Sequence, residues 1–72
     1  LPNPVVHSVS VTIPANGLNN AISFYDISGK KVKEVPVSLS TQTIDLSTLQ
    51  AGLYFYEFSS KTATFQGKII KK

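Results

Sequence analysis

Acid–base or nucleophilic catalysis needs titratable groups within reach of one substrate, and this 72-residue chain offers few of them. Its carboxylates are Asp26, Glu34, Asp45 and Glu57, no two of them paired by spacing. His7 is the one imidazole and there is no cysteine, too few ligands for a transition-metal site. Each of these side chains has a simpler reading. Asp26 suits a turn, Asp45 and Glu57 outward strand positions, Glu34 a hairpin surface, and His7 a solvated place ahead of the first strand. Gly29-Lys30-Lys31 has the ending of a phosphate loop, but the upstream glycine is missing and no helix follows, so a hairpin turn accounts for it. The inventory predicts no enzyme, no metal and no cofactor.

Seven lysines against four acids give a formal charge of +3, and arginine is absent. Without the planar fork that grips phosphates and base edges, a nucleic-acid partner is not expected. No run approaches the roughly 20 apolar residues of a membrane span, and no charged segment leads into an apolar one, so no membrane insertion is expected. Lack of cysteine rules out disulfides and is compatible with export. With 42% hydrophobic and 15% charged residues, the chain has the composition of a folding domain. Its length allows one domain that buries about 60% of its extended surface, which leaves little room for a cleft. The opening Leu1-Pro2-Asn3-Pro4, without an initiator methionine, reads as a domain boundary and predicts a piece cut from a longer protein.

The elements that must position these residues are strands, because the apolar residues repeat with period two. Val9, Val11 and Ile13 alternate with Ser8, Ser10 and Thr12, and Pro14 with Asn16-Gly17 predicts a bend after them. Ile22 and Phe24 alternate with Ser23 and Tyr25 in a second strand. Asp26-Ile27-Ser28-Gly29 has the acceptor and the glycine of a type I turn, with Lys31 to Val35 as the return strand. Pro36 has no N–H for a ladder, so that strand ends there, lies at an edge or carries a bulge, with Val37 to Leu39 as a candidate continuation. Thr43 to Leu46 is another short strand, and Ser47 to Ala51 has the length of one helical turn ending at Gly52. Leu53 to Ser60 is the strongest strand, and Ser60-Lys61-Thr62 joins it to a last strand over Ala63 to Lys71.

About seven short strands separated by turn signals predict an all-β fold, a small immunoglobulin-like antiparallel β-sandwich. Tyr54, just inside a strand and two residues after Gly52, is placed as a tyrosine corner, its hydroxyl bonded back to the preceding loop. Tyr56 falls where antibody domains carry a cysteine. The inward set is then Val9, Val11, Ile13, Ile22, Phe24, Val32, Ile44, Leu46, Leu49, Tyr54, Tyr56, Phe58, Phe65 and Ile69.

The same alternation sends Leu53, Phe55 and Glu57 outward, with Lys68 and Ile70 outward on the neighbouring strand. Phe55 and Ile70 form a candidate docking patch rimmed by Lys68, Lys71 and Lys72, unless a preceding domain, a missing strand or the second sheet covers them. Phe55 and Tyr25 are also the aromatics that a carbohydrate-binding or adhesion module would stack on sugar rings, provided they stand on adjacent strands.

In order and spacing, Leu1-Pro2-Asn3-Pro4, the stretch from Ile22 to Val32 (ISFYDISGKKV), the stretch from Ile44 to Tyr54 (IDLSTLQAGLY) and the terminal Lys68-Ile69-Ile70-Lys71-Lys72 resemble the type A C-terminal sorting domain of the type IX (Por) secretion system. The likeness runs along essentially the whole chain. It implies a single non-catalytic sorting domain over residues 1–72, excised from the C-terminus of a longer secreted protein of Bacteroidota. It implies a cargo that reaches the periplasm on its own signal peptide, and a folded tail recognised by the outer-membrane translocon and its shuttle proteins. A cell-surface sortase would then cleave upstream of the domain and attach the cargo to an anionic lipopolysaccharide or release it.

By position, the family's glycine-x-tyrosine motif falls on Gly52 and Tyr54, and its terminal lysine-rich motif on Lys68, Lys71 and Lys72. Leu1 stands where the family often has an aromatic. A glycine backbone conformation and a corner tyrosine explain the first motif structurally. For the lysines, which no small core needs, a solvated face and a receptor contact both stand. Removing Lys71 and Lys72 is therefore expected to spare the fold and impair export, whereas Tyr54→Ala damages both, at about 3 to 5 kcal/mol.

Overall fold

The computed structural model describes residues 4–13, 20–61 and 64–72. Six strands lie among them: β1 (Ser8–Thr12), β2 (Ala21–Tyr25), β3 (Lys31–Pro36), β4 (Thr41–Asp45), β5 (Gly52–Ser59) and β6 (Thr64–Lys71). β1 pairs with β4, and the other four form a sheet in the order β3-β2-β5-β6, every strand pair antiparallel. Period two gives each sheet one apolar face, and the two faces close on each other. Val9, Val11 and Ile44 of the small sheet meet Ile22, Phe24, Tyr54, Phe58 and Ile69 of the large one, with Val5, Ile13, Val37 and Leu46 completing the cluster. The shortest dimension, 16 Å, holds two such layers and no third. The fold is an all-β, immunoglobulin-like sandwich with sheets of unequal width.

The hairpin turn forms as its residues dictate. Gly29 N–H closes on the Asp26 carbonyl at 3.0 Å, and Gly29 takes φ +87°. One Asp26 carboxylate oxygen accepts from Ser28 N–H, the Ser28 hydroxyl and Lys30 N–H at 2.9, 2.6 and 3.0 Å. Pro36 is the last residue of β3, an edge strand, where its missing N–H costs no ladder bond.

Elsewhere the structure departs from the period-two reading. Val37 to Leu39 is not a strand. Gln42 gathers that stretch into a turn, its side chain accepting from Ser38 and Leu39 N–H and donating to the Pro36 carbonyl, while Val37 is fully buried. Ser47 to Ala51 is not helical but a tight turn closed by Leu49 N–H on the Leu46 carbonyl. With Val37 to Leu39 no strand, six strands stand among the described residues where about seven were expected; Pro14, Asn16-Gly17, Thr62 and Ala63 lie outside the described residues.

Val32, expected inward, is exposed. The β2–β3 register slips between Phe24, opposite Lys33, and Tyr25, opposite Lys31, so Val32 is the extra residue of a bulge. Phe65 does face the inner side, stacked on its partner Phe58 with centroids 5.8 Å apart, yet is 41% exposed. The two-stranded sheet is too narrow to cover it, and a cavity of about 310 Å³ lined by Val11, Ile13, Ile22 and both phenylalanines opens there.

Tyr56 is half-buried over Gly67, its register partner on β6. A Cβ at position 67 would stand 2.6 Å from the tyrosine Cζ, well inside contact distance. Gly67→Ala is expected to cost about 1–3 kcal/mol as overpacking, and much less in a Tyr56→Ala background. Chemical denaturation of the two single variants and the double variant measures that coupling.

Candidate functional site

β5 is hydrogen-bonded on both sides, to β2 and to β6, so its alternation is imposed on both neighbours. Gly52 opens it with φ +154°, a backbone conformation that side chains resist, and Lys71 lies opposite. Tyr54 is buried, and its hydroxyl donates to the Gln50 carbonyl at 2.7 Å, the corner bond expected of it. Its partner across the ladder is Ile69, while Leu53 faces Ile70 and Phe55 faces Lys68. The glycine-x-tyrosine segment and the lysine-rich segment, more than a dozen positions apart in sequence, are thus neighbouring rungs at the open end of one hairpin.

The ladder has two faces with different occupants. On the outer face Leu53, Phe55 and Ile70 are 38%, 40% and 49% exposed, and Lys68 stands beside Phe55. The expected pair of Phe55 and Ile70 is therefore a trio. Leu53 was legible as outward, but only the rung it shares with Ile70 brings it into the patch. Lys72 is exposed at the strand's end.

Lys71 departs from expectation. It lies on the inner face, 7% exposed, and its Nζ donates to the Lys72 carbonyl at 3.0 Å. Its aliphatic stem packs like a core side chain while the ammonium reaches the sandwich's end. The neighbouring contact explains the position. Val5 N–H donates to the Ile70 carbonyl and Lys72 N–H to the Val5 carbonyl, both at 2.7 Å, making a parallel bridge between Val5 and Lys71. Val5 itself is 2% exposed. Two residues on, the His7 carbonyl accepts from Leu46 N–H at 2.8 Å, so one short segment is pinned to both sheets. The buried position of Lys71 corrects the expectation that it rims the outer patch, and makes its removal a change to the inner face.

On the outer face of the large sheet the β3 bulge resets parity, which brings Lys31 and Glu34 onto the same side, 2.7 Å apart. The pairing holds the Glu34 carboxyl below and the Lys31 ammonium above their ordinary values. Asp26 is lowered by the Ser28 hydroxyl and then the Lys30 N–H, and Asp45 by Ser47, whose N–H it accepts at 2.9 Å. Tyr25 and Phe55 are register partners on adjacent strands, the arrangement a sugar platform requires.

Lys71→Ala is expected to lower stability by about 1–2 kcal/mol through lost stem packing, whereas Lys68→Ala and Lys72→Ala stay within about 0.5 kcal/mol of wild type in the same denaturant titration. The lowered carboxyls contribute stability above their unfolded pKa values that is lost as pH falls through the folded ones, and the raised Lys31 contributes stability that is lost only as strongly alkaline pH passes its folded value. Side-chain NMR titration of Asp26, Asp45 and Glu34 is expected to give midpoints below those of the unfolded chain.

No curated protein and no solved structure matches the chain. A family model described as secretion system C-terminal sorting domain matches residues 1–72. With its glycine-x-tyrosine corner and lysine-bearing last strand set on one ladder, the chain belongs to that family, the C-terminal sorting domains of type IX secretion.

Proposed function

We propose that the type IX outer-membrane translocon and its shuttle proteins recognise this domain as a folded surface, and that a cell-surface sortase then removes it upstream of Leu1. Membership in the family makes the chain a C-terminal sorting signal of type IX secretion. The ladder at the open end of the β5–β6 hairpin supports the finer reading, because it divides the motif residues by face. Gly52 and Tyr54 act through the fold, as does Lys71. Leu53, Phe55 and Ile70, rimmed by Lys68 and Lys72, are the residues left to touch a partner. An apolar patch with lysines at its border fits a protein surface with an apolar centre and acidic rim.

In this reading the domain catalyses nothing, binds no cofactor and no nucleic acid, and inserts in no membrane. The covalent chemistry belongs to the sortase, and the cargo joined at its N-terminal side passes through the periplasm to the cell surface or the medium. Val5 and Lys72 are hydrogen-bonded to each other, so the first described residues and the lysine-bearing end of β6 sit together.

A neutral reporter with an N-terminal export signal and this tail, expressed in a Bacteroidota host with and without a working translocon, tests the role. Delivery to the surface or medium is expected only where tail and translocon are both present, and is expected to fall in a folded Leu53→Ser/Ile70→Ser variant. Periplasmic retention of the folded wild-type fusion in a translocon-competent host would overturn it.

A further inference from the structure

We infer that the outer face of the four-stranded sheet carries a binding platform for a neutral oligosaccharide, centred on Tyr25 and Phe55. Register places one row across all four strands, Lys31, Tyr25, Phe55 and Lys68. The next row is Glu34, Ser23, Glu57 and Gln66. Directly opposed residues on adjacent strands have Cβ atoms about 5 Å apart, so the two aromatic side chains stand side by side. Phe55 is 40% exposed and Tyr25 half-buried. Where the rows meet, the surface is concave. A shallow, open depression of about 400 Å³ is lined by Tyr25, Phe55, Glu57, Gln66 and Lys68.

The chemistry of this face selects its occupant. A pyranose ring has an aliphatic C–H face that packs on aromatic side chains, and equatorial hydroxyls that need both donors and acceptors at its rim. Glu57 supplies acceptors, Lys68 a donor and Gln66 both. Charge sets the sign of the ligand. In these two rows Lys31 and Lys68 are matched by Glu34 and Glu57, so the rows themselves favour an uncharged ligand over a polyanion, and arginine is absent from the chain. A partner β-strand adds to a sheet's edge and not to its face. The apolar rung of Leu53 and Ile70 lies at the sheet's end and Tyr25 is outside it; Phe55 and Lys68 are shared with the proposed docking patch, so Tyr25 and Gln66 are the positions that tell the platform from the sorting role.

The test is titration of the ¹⁵N-labelled protein with cellohexaose, laminarihexaose and chitohexaose, each to roughly 10 mM, where millimolar binding still registers. Shifts confined to Tyr25, Phe55, Glu57, Gln66 and Lys68 are expected with at least one probe, insensitive to salt and weakened about tenfold in Tyr25→Ala. Gln66→Ala, at an exposed position, is expected to weaken binding too and serves if the tyrosine variant unfolds. No shift on this face with any of the three, or equal binding by wild type and folded variants, would overturn the inference. So would binding of a heparin hexasaccharide alone, abolished by salt, which would mark attraction by lysines only. Shifts confined to Leu53 and Ile70 would overturn it in favour of the protein-docking patch.

Discussion

The constraint on which the rest of the structure depends is the register of β5. It is one of the two longest strands, and its backbone is paired on both sides. A shift of one residue would turn Tyr54, Tyr56 and Phe58 out to solvent and bring Leu53, Phe55 and Glu57 into the core. Burying a carboxylate without a partner is prohibitive, so the alternative register is closed. Two features at the strand's start hold the chosen one: the Gly52 conformation, which ends the preceding turn, and the Tyr54 hydroxyl bond to Gln50. From there the ladder to β6 fixes which lysine points where.

A chain of 72 residues has little apolar surface to spare, and the structure shows where it economises. The small sheet leaves Phe65 partly uncovered. The opposite end is closed by Val5, a residue outside any strand, which contributes both a core side chain and two backbone bonds to the end of β6. Lys71 completes that end with its stem. Val5, ahead of the first strand, is therefore part of the sandwich, and the latch ties it to the end of β6.

Much of this was legible in the residue pattern. The alternation in β1, β2 and β5, the Asp26 turn, the edge position of Pro36 and the tyrosine corner each follow from a local rule with one strong solution. What escaped depends on register between strands. Val32 alternates correctly along its own strand, and only the slip opposite Tyr25 displaces it. Lys71 carries a charge that period reading assigns to solvent, and only its rung opposite Gly52, with the Val5 bridge beside it, places it inside. Val5 itself sits between Pro4 and Val6, and His7 breaks the alternation that would join it to Val9. The pairing of Tyr25 with Phe55 is likewise a fact of register that neither segment reveals alone.

In the proposed reading, a sorting signal built this way has two separable layers, a fold that must exist and a face that must be read. A motif of glycine and tyrosine can be indispensable for export while touching no partner, if recognition requires the folded ladder. The most direct test is export efficiency measured against folded fraction in Gly52→Ala and Tyr54→Phe variants. Export that falls only as far as the folded fraction falls, and recovers when a stabilising substitution elsewhere restores folding, is the predicted result. A Tyr54→Phe domain that is fully folded and yet not exported would contradict it, and would place the tyrosine hydroxyl in the recognition step itself.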